Sequence, residues 1–184
     1  MSVADHAFAF LRERDPETAG HCLRVHSLSL KLARRLGWRN AACADLSIAA
    51  KLHDIGKVSL PETILNKPGR LTSVEATIMR EHPLIGERVL RPIIANPTIL
   101  AAIRGHHERF DGRGYPDNLC GEEIPLAARV IALADCFDAL THARAYRPAR
   151  PLEEARRILQ DGAGTQFDPR LTAIFLQIEP CALV

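Results

Sequence analysis

The chain has 184 residues, 47% of them hydrophobic, and a formal net charge of only +2. That length suits one globular domain with a sizeable core, and the near-neutral balance excludes a binder driven toward polyanions by bulk charge. No apolar run approaches the ~18 residues of a membrane span, and no signal-peptide pattern is present. The five cysteines form no Cys-x-x-Cys pair and are odd in number. They read as reduced thiols in a cytoplasmic protein, with neither DNA nor membrane expected as a partner.

Residues 1–15 read as a short helical lead-in to a domain over 16–184. Asp15-Pro16 pairs an N-cap with a proline at the first helical position, and Gly37 closes that helix. Glu17, His21, Val25, Leu28, Leu32 and Leu36 recur on one face at helical spacing, so Glu17 and His21 align with an inward apolar stripe. His26 lies about 140° around the same helix from His21 and reads as solvated. A second helix is predicted from Asn40, as cap, to about Ile55, with Leu46, Ala49, Ala50 and His53 on one face. Gly56 reads as its left-handed stop. After a turn at 66–69, Thr72-Ser73-Val74-Glu75 is a capping start.

His82-Pro83 and Asn96-Pro97 each mark a further helix entrance with proline at the first position. The helix after Pro97 carries Ile99, Leu100 and Ile103 and delivers His106 and His107 at its end. A longer helix follows Pro125, with Ala128, Ile131, Ala132, Asp135 and Ala139 on one side. Two short helices, Leu152 to Leu159 and Pro169 to Ile178, close the chain. No stretch sustains period-two alternation. The expected fold is therefore all-α, a single-domain helical bundle.

Inward faces of several helices carry His21, His53, Asp54, His82, His106, His107 and Asp135, with Glu17 one turn before His21. One such residue is usually a hydrogen-bonded core group. Burying so many ionisable groups without a cation would cost several kcal/mol each unless they were neutralised or paired. A metal cluster resolves that conflict. Imidazole and carboxylate ligands without cysteine suit iron, manganese, zinc or nickel and discriminate poorly among them. Asp54 has two oxygens with which to bridge two ions.

His53-Asp54-Ile55-Gly56-Lys57 resembles the signature of the HD metal-dependent phosphohydrolases. With His106-His107-Glu108-Arg109-Phe110-Asp111-Gly112-Arg113-Gly114-Tyr115-Pro116, the chain resembles their HD-GYP subfamily. Lys67-Pro68-Gly69, Glu81-His82-Pro83, Ala134-Asp135, Arg144, Tyr146-Arg147 and Phe167-Asp168-Pro169 extend the likeness in order from about Glu17 to Asp168. The resemblance implies a helical HD-type domain that hydrolyses cyclic di-GMP to pGpG, and further to GMP, by attack of a metal-bridging hydroxide. It implies two or three divalent ions, iron or manganese first and nickel or zinc as alternatives. His21, His53, Asp54 and Asp135 would hold one ion, and Asp54, His82, His106 and His107 a second. Glu17 matches the carboxylate with which some members recruit a third. Lys57 matches the lysine beside the reacting phosphate, while Arg113, Tyr115, Arg144 and Arg147 match the substrate-facing lip and its loop.

Other readings attach to several positions. Glu17 also suits a first helical turn with no metal, through the helix dipole. Asp138 is expected to orient an arginine such as Arg144, and His142 to be an exposed helix-end residue. Cys22 and Cys136 read as small core residues. Two positions depart from the family pattern. Asn118 replaces a glycine, although asparagine tolerates the left-handed backbone, and Ala145 replaces a proline. Most relatives join this domain to a sensor or receiver module, so input is expected from a separate sensor or receiver protein. The competing function is a non-catalytic module that binds cyclic di-GMP or a diguanylate cyclase through the Gly-Tyr-Pro loop.

Overall fold

A computed structural model describes residues 2–143 and 148–178. The described residues fold as helices α1 (Val3–Arg14), α2 (Pro16–Arg35), α3 (Asn40–Leu52), α4 (Glu62–Leu65), α5 (Ser73–Met79), α6 (His82–Leu90), α7 (Pro97–Gly105), α8 (Leu126–Thr141), α9 (Leu152–Asp161) and α10 (Pro169–Leu176). They contain no strand, only isolated bridges at Asp111–Cys120 and Ala163–Phe167. The all-α expectation holds.

Capping chemistry fixes several helix starts. Asp15 accepts the Thr18 amide at 2.9 Å, Asn96 accepts that of Thr98 at 2.9 Å, and Thr72 with Glu75 forms a capping box. α2 is the organising helix, packed chiefly on α3 and α8. Its buried stripe of Val25, Leu28 and Leu32 joins Leu46, Ile103, Ile131 and Phe137 in one core, and α1 adds the buried Leu11. Phe137 and Phe175 meet edge to face at 5.2 Å, which ties α10 to α8. The closing helices end within two residues of the predicted positions.

The second helix departs from expectation at both ends. Arg39 occupies its N-cap without a side-chain hydrogen bond, while Asn40 itself takes φ 47. It stops at Leu52, and Ile55–Ser59 form a 3-10 turn instead. Gly56 is not a left-handed stop, since it is absent from the positive-φ glycines. Its need is space. A Cβ there would lie 2.0 Å from the His82 carbonyl oxygen and 2.6 Å from the Gly86 amide. The missing side chain lets the 3-10 turn lie directly on α6, with Gly86 opposite. Pro83 takes the second rather than the first position of α6, after His82.

His26 is not solvated. It is half-buried, with Nε2 2.9 Å from Ser47 Oγ. Burial, helped by Lys51 and Arg34, lowers its pKa to about 4. In the unfolded chain an imidazole titrates near 6.5, so between those values the unfolded state binds the extra proton. Stability is therefore whole above pH ~6.5 and falls as pH drops toward ~4. His26→Gln should remove that part of the acid slope in urea unfolding at stepped pH, and an unchanged slope would refute the assignment. Gly56→Ala should cost about 1–3 kcal/mol, as overpacking does. A urea midpoint equal to the parent's would show that α6 yields without penalty.

Candidate metal centre

Five elements deliver the predicted ligands to one place. His21 comes from the first turns of α2, His53 caps the C-terminus of α3 and Asp54 follows it. His82 opens α6, His106 caps α7 with His107 next, and Asp135 projects from α8. Asp54 stands at the middle, 2% exposed. Its Oδ2 lies 3.8 Å from His21 Nε2 and 3.6 Å from His53 Nε2. Its Oδ1 lies 3.1 Å from His82 Nε2 and 3.9 Å from His106 Nε2. Each oxygen thus faces its own group of imidazoles. Two sets of ligand atoms converge within 4.8 Å, Asp54 with His82, His106 and His107, and Asp54 with His21 and His53.

The far side of each ring explains its orientation. His53 Nδ1 lies 2.8 Å from the Ala50 carbonyl, His82 Nδ1 2.7 Å from that of Met79, and His106 Nδ1 2.6 Å from that of Ile103. These carbonyls belong to the last turns of α3, α5 and α7, where helices leave acceptors without partners. Each Nδ1–H donates outward, and each Nε2 lone pair points inward. His82 Nε2 and His106 Nε2 then face each other at 3.2 Å as two acceptors. His53 Nε2 and Asp54 Oδ1 are buried without a hydrogen-bond partner among the described residues. Inward lone pairs, an anionic bridge and orphaned acceptors are what divalent cations require, so the residues present fit the ions.

Electrostatics agree. Burial alone would raise the Asp54 carboxyl, but the Lys57 ammonium leads the groups that outweigh it and hold Asp54 well below the usual range. Lys57 Nζ sits 2.6 Å from Asp54 Oδ2. Burial lowers His53 and pushes His106 well down, and it takes His107 to about 3, so these imidazoles are neutral. Burial also opposes charge on His21, yet its bonds to Asp135 and Asp138 raise it to about 9. A cation taken up beside His21 would have to displace that proton.

The other predicted residues are placed less uniformly. Asp135 Oδ1 stands 3.0 Å from His21 Nε2 but outside both converging sets. Glu17 is exposed and also outside both, lining a cavity of about 300 Å³ with Val58 and Leu60. Tyr115 stacks on His107, with ring centroids 4.9 Å apart and planes 26° apart, and Arg80 lies 5.5 Å from the Tyr115 ring centre. Arg113 is exposed, its amide donating to Asp111 Oδ1 at 3.2 Å. Arg144 and Arg147 fall outside the described residues. Cys22 is buried and Cys136 packs against the core, as expected.

Asp138 orients an arginine as expected, here Arg24, and also holds His21. His142, expected to be exposed, is half-buried, with Nδ1 3.0 Å from Asp138 Oδ1. Two supports of the Gly-Tyr-Pro loop were not foreseen. Buried Glu108 accepts the Asp117 amide at 2.6 Å. Arg104 grips the Asp117 carboxylate through two nitrogens at 2.6 and 2.7 Å. Glu108 lies in irregular chain, where no periodicity marks an inward residue. Gly114 permits the fold-back, because a Cβ there would sit 2.3 Å from the Arg109 amide nitrogen. Asn118 takes φ 57, the left-handed conformation expected of it.

A family model described as HD domain matches residues 6–171. The chain belongs to the HD domain family. It is 41% identical over 170 residues, 90% of its length, to a cyclic di-GMP phosphodiesterase of Thermotoga maritima, of which it covers 46%. It is 39% identical over 160 residues, 87% of its length, to 3'3'-cGAMP-specific phosphodiesterase 3 of Vibrio cholerae, covering 35% of that protein. The HD domain chain thus spans less than half the length of these relatives. Its fold matches that of an HDG"Y"P protein from Bdellovibrio bacteriovorus with a TM-score of 0.71 at 24% identity, over 87% of this chain and 51% of the other. Among the described residues, no helix is long and apolar enough to cross a membrane.

Glu108→Ala should release the lip locally. Exchange of the Asp117 amide should speed up about ten- to a hundredfold, the equivalent of a ~1.5–3 kcal/mol hydrogen bond to a charged group. Undiminished protection would mean that Arg104 holds the loop alone.

Proposed function

We propose that the chain is a cytoplasmic, metal-dependent phosphodiesterase that opens cyclic di-GMP to pGpG. The observation that carries this reading is the division of Asp54, one oxygen toward His21 and His53 and the other toward His82 and His106. In this reading His21, His53, Asp54 and Asp135 hold one divalent ion. Asp54, His82, His106 and His107 hold the other, and Glu17 is the candidate ligand for a third. Iron or manganese suits this nitrogen and oxygen donor set. Bound cations would lower the pKa of water toward neutrality and offset charge on the phosphoryl oxygens.

The chain's own residues do the rest. The inward Nε2 atoms and Asp54 would hold the cations, and tight burial keeps His53, His106 and His107 neutral as candidate ligands. Lys57, against Asp54, places an ammonium where negative charge builds on phosphorus during in-line attack. Water adds to phosphorus as one ring P–O bond breaks, which leaves a linear dinucleotide with a terminal phosphate. Tyr115 presents a ring stacked on His107, suited to contact a base. Arg113, Arg144 and Arg147 provide planar cations suited to phosphate oxygens and base faces. A diguanylate cyclase or a separate sensor protein is a further candidate partner for the same loop.

Protein purified without oxygen should carry two or more ions per chain and convert cyclic di-GMP to pGpG. Asp54→Ala should lose at least one ion per chain and about a thousandfold in turnover, the size of several kcal/mol of lost charge stabilisation. Full metal content in that variant would overturn the bridging role. Nucleotide binding without turnover in the metal-loaded parent would favour the non-catalytic module, and faster turnover of 3'3'-cGAMP would reassign the substrate.

A further inference from the structure

Four imidazoles around Asp54 are aimed by what their Nδ1 atoms meet, and one differs in kind. His53, His82 and His106 rest on backbone carbonyls, which no side-chain substitution removes. His21 Nδ1 rests on a side chain instead, the Asp138 carboxylate at 2.7 Å. That carboxylate is 1% exposed and is itself held by Arg24, three residues beyond His21 on α2. Arg24 Nε lies 2.7 Å from Asp138 Oδ1, and its Nη2 lies 3.1 Å from Oδ2. Planar, two-point contact of this kind fixes the plane of a carboxylate as well as its position.

We infer that Arg24 is a positioning residue for the His21–His53–Asp54 half of the metal centre, acting through Asp138. The inference rests on the metal-centre reading above. Oδ2 of Asp138 accepts from both Arg24 and His21, so the guanidinium sets where the His21 ring must lie. Asp138 in turn holds the ring so that Nε2 stands 3.0 Å from Asp135 Oδ1 and 3.8 Å from Asp54 Oδ2. Without Arg24 the carboxylate keeps, among the described residues, its two histidine contacts, His21 and His142. It can then rotate about its own side-chain bonds, and the His21 ring rotates with it. In the other half His82 and His106 stay aimed by backbone carbonyls, whatever stands at position 24. One half of the centre therefore has a separable support, placed in a side chain that is 41% exposed.

The test is Mn²⁺ uptake by the full chain, stripped of metal and titrated anaerobically with electron paramagnetic resonance of free Mn²⁺ as readout. Arg24→Met keeps the aliphatic stem and removes the fork. It should weaken one class of site by about 10–100-fold, the usual cost of losing an outer-sphere partner, and leave the other class at parental affinity. The weakened class should coincide with the one lost in His53→Ala and not with the one lost in His107→Ala. Arg24→Lys, which retains charge without the fork, should recover part of the affinity. Parental affinity at both classes in Arg24→Met, or equal weakening of both, would overturn the inference. If Arg24→Met does not fold, as judged by circular dichroism of the stripped protein, the lysine variant decides, since it must still weaken one class alone. A parent protein that takes up no Mn²⁺ removes the metal-centre reading and this inference with it, an outcome distinct from failure of Arg24 alone.

Discussion

Asp54 is a carboxylate kept ionised at 2% exposure, and the surrounding architecture answers to the free energy of that arrangement. An isolated buried charge would take up a proton or unfold its surroundings. Here Lys57 supplies an ammonium in contact with it, and four imidazoles lie around its two oxygens. The neutral His53 and His106 offer lone pairs rather than protons to those oxygens, which leaves acceptors facing acceptors. The unpaired groups are therefore a consequence of aiming Nε2 inward, and for His53, His82 and His106 the aim is set by ordinary helix-end chemistry. Carbonyls that a helix must leave free at its C-terminus become the fixed points from which the rings are held.

Bringing those helix ends together requires close backbone approach, and the chain achieves it with paired glycines. The 3-10 turn after Asp54 lies on α6 at Gly56 and Gly86, and this contact carries His82 to within 3.1 Å of Asp54 Oδ1. A similar device places the lip, where Gly114 lets the chain fold back on Glu108 and Arg109 and so presents Tyr115 to His107. Site geometry and fold stability are coupled at both positions. A side chain at either would disturb the packing and the ligand sphere together.

Local signals in the sequence were read well. Asp15-Pro16, Thr72 to Glu75 and Asn96-Pro97 cap as their residue types require, and the stripe on α2 is buried where its spacing places it. The candidate ligands stand out in the sequence because so many ionisable groups on inward faces have few chemical explanations. Gly56 was misread, since a glycine needed for a left-handed turn and one needed for a close approach look alike in sequence. His26 was misread because its cover comes from α3, which its position on α2 does not reveal. Asn40 and the early end of α3 belong to boundaries where tertiary contact overrides local preference.

What could not be read has a common physical character. Asp138 was understood to orient a cation, but the partner lies 114 residues away along the chain at Arg24, and the second at His21 is 117 away. No periodicity on α8 encodes which residue of α2 will stand opposite. Glu108 reaches Asp117 within a loop, where neither helical nor strand spacing applies. The candidate ligands are marked by residue type, so the sequence displays them. Their supports are specified by which helix faces meet, and that depends on the close approaches at Gly56 and Gly114 as much as on the supporting residues. A carboxylate such as Asp138 acquires its role only after α2 and α8 have packed, and the same packing buries the stripe that was legible from the start.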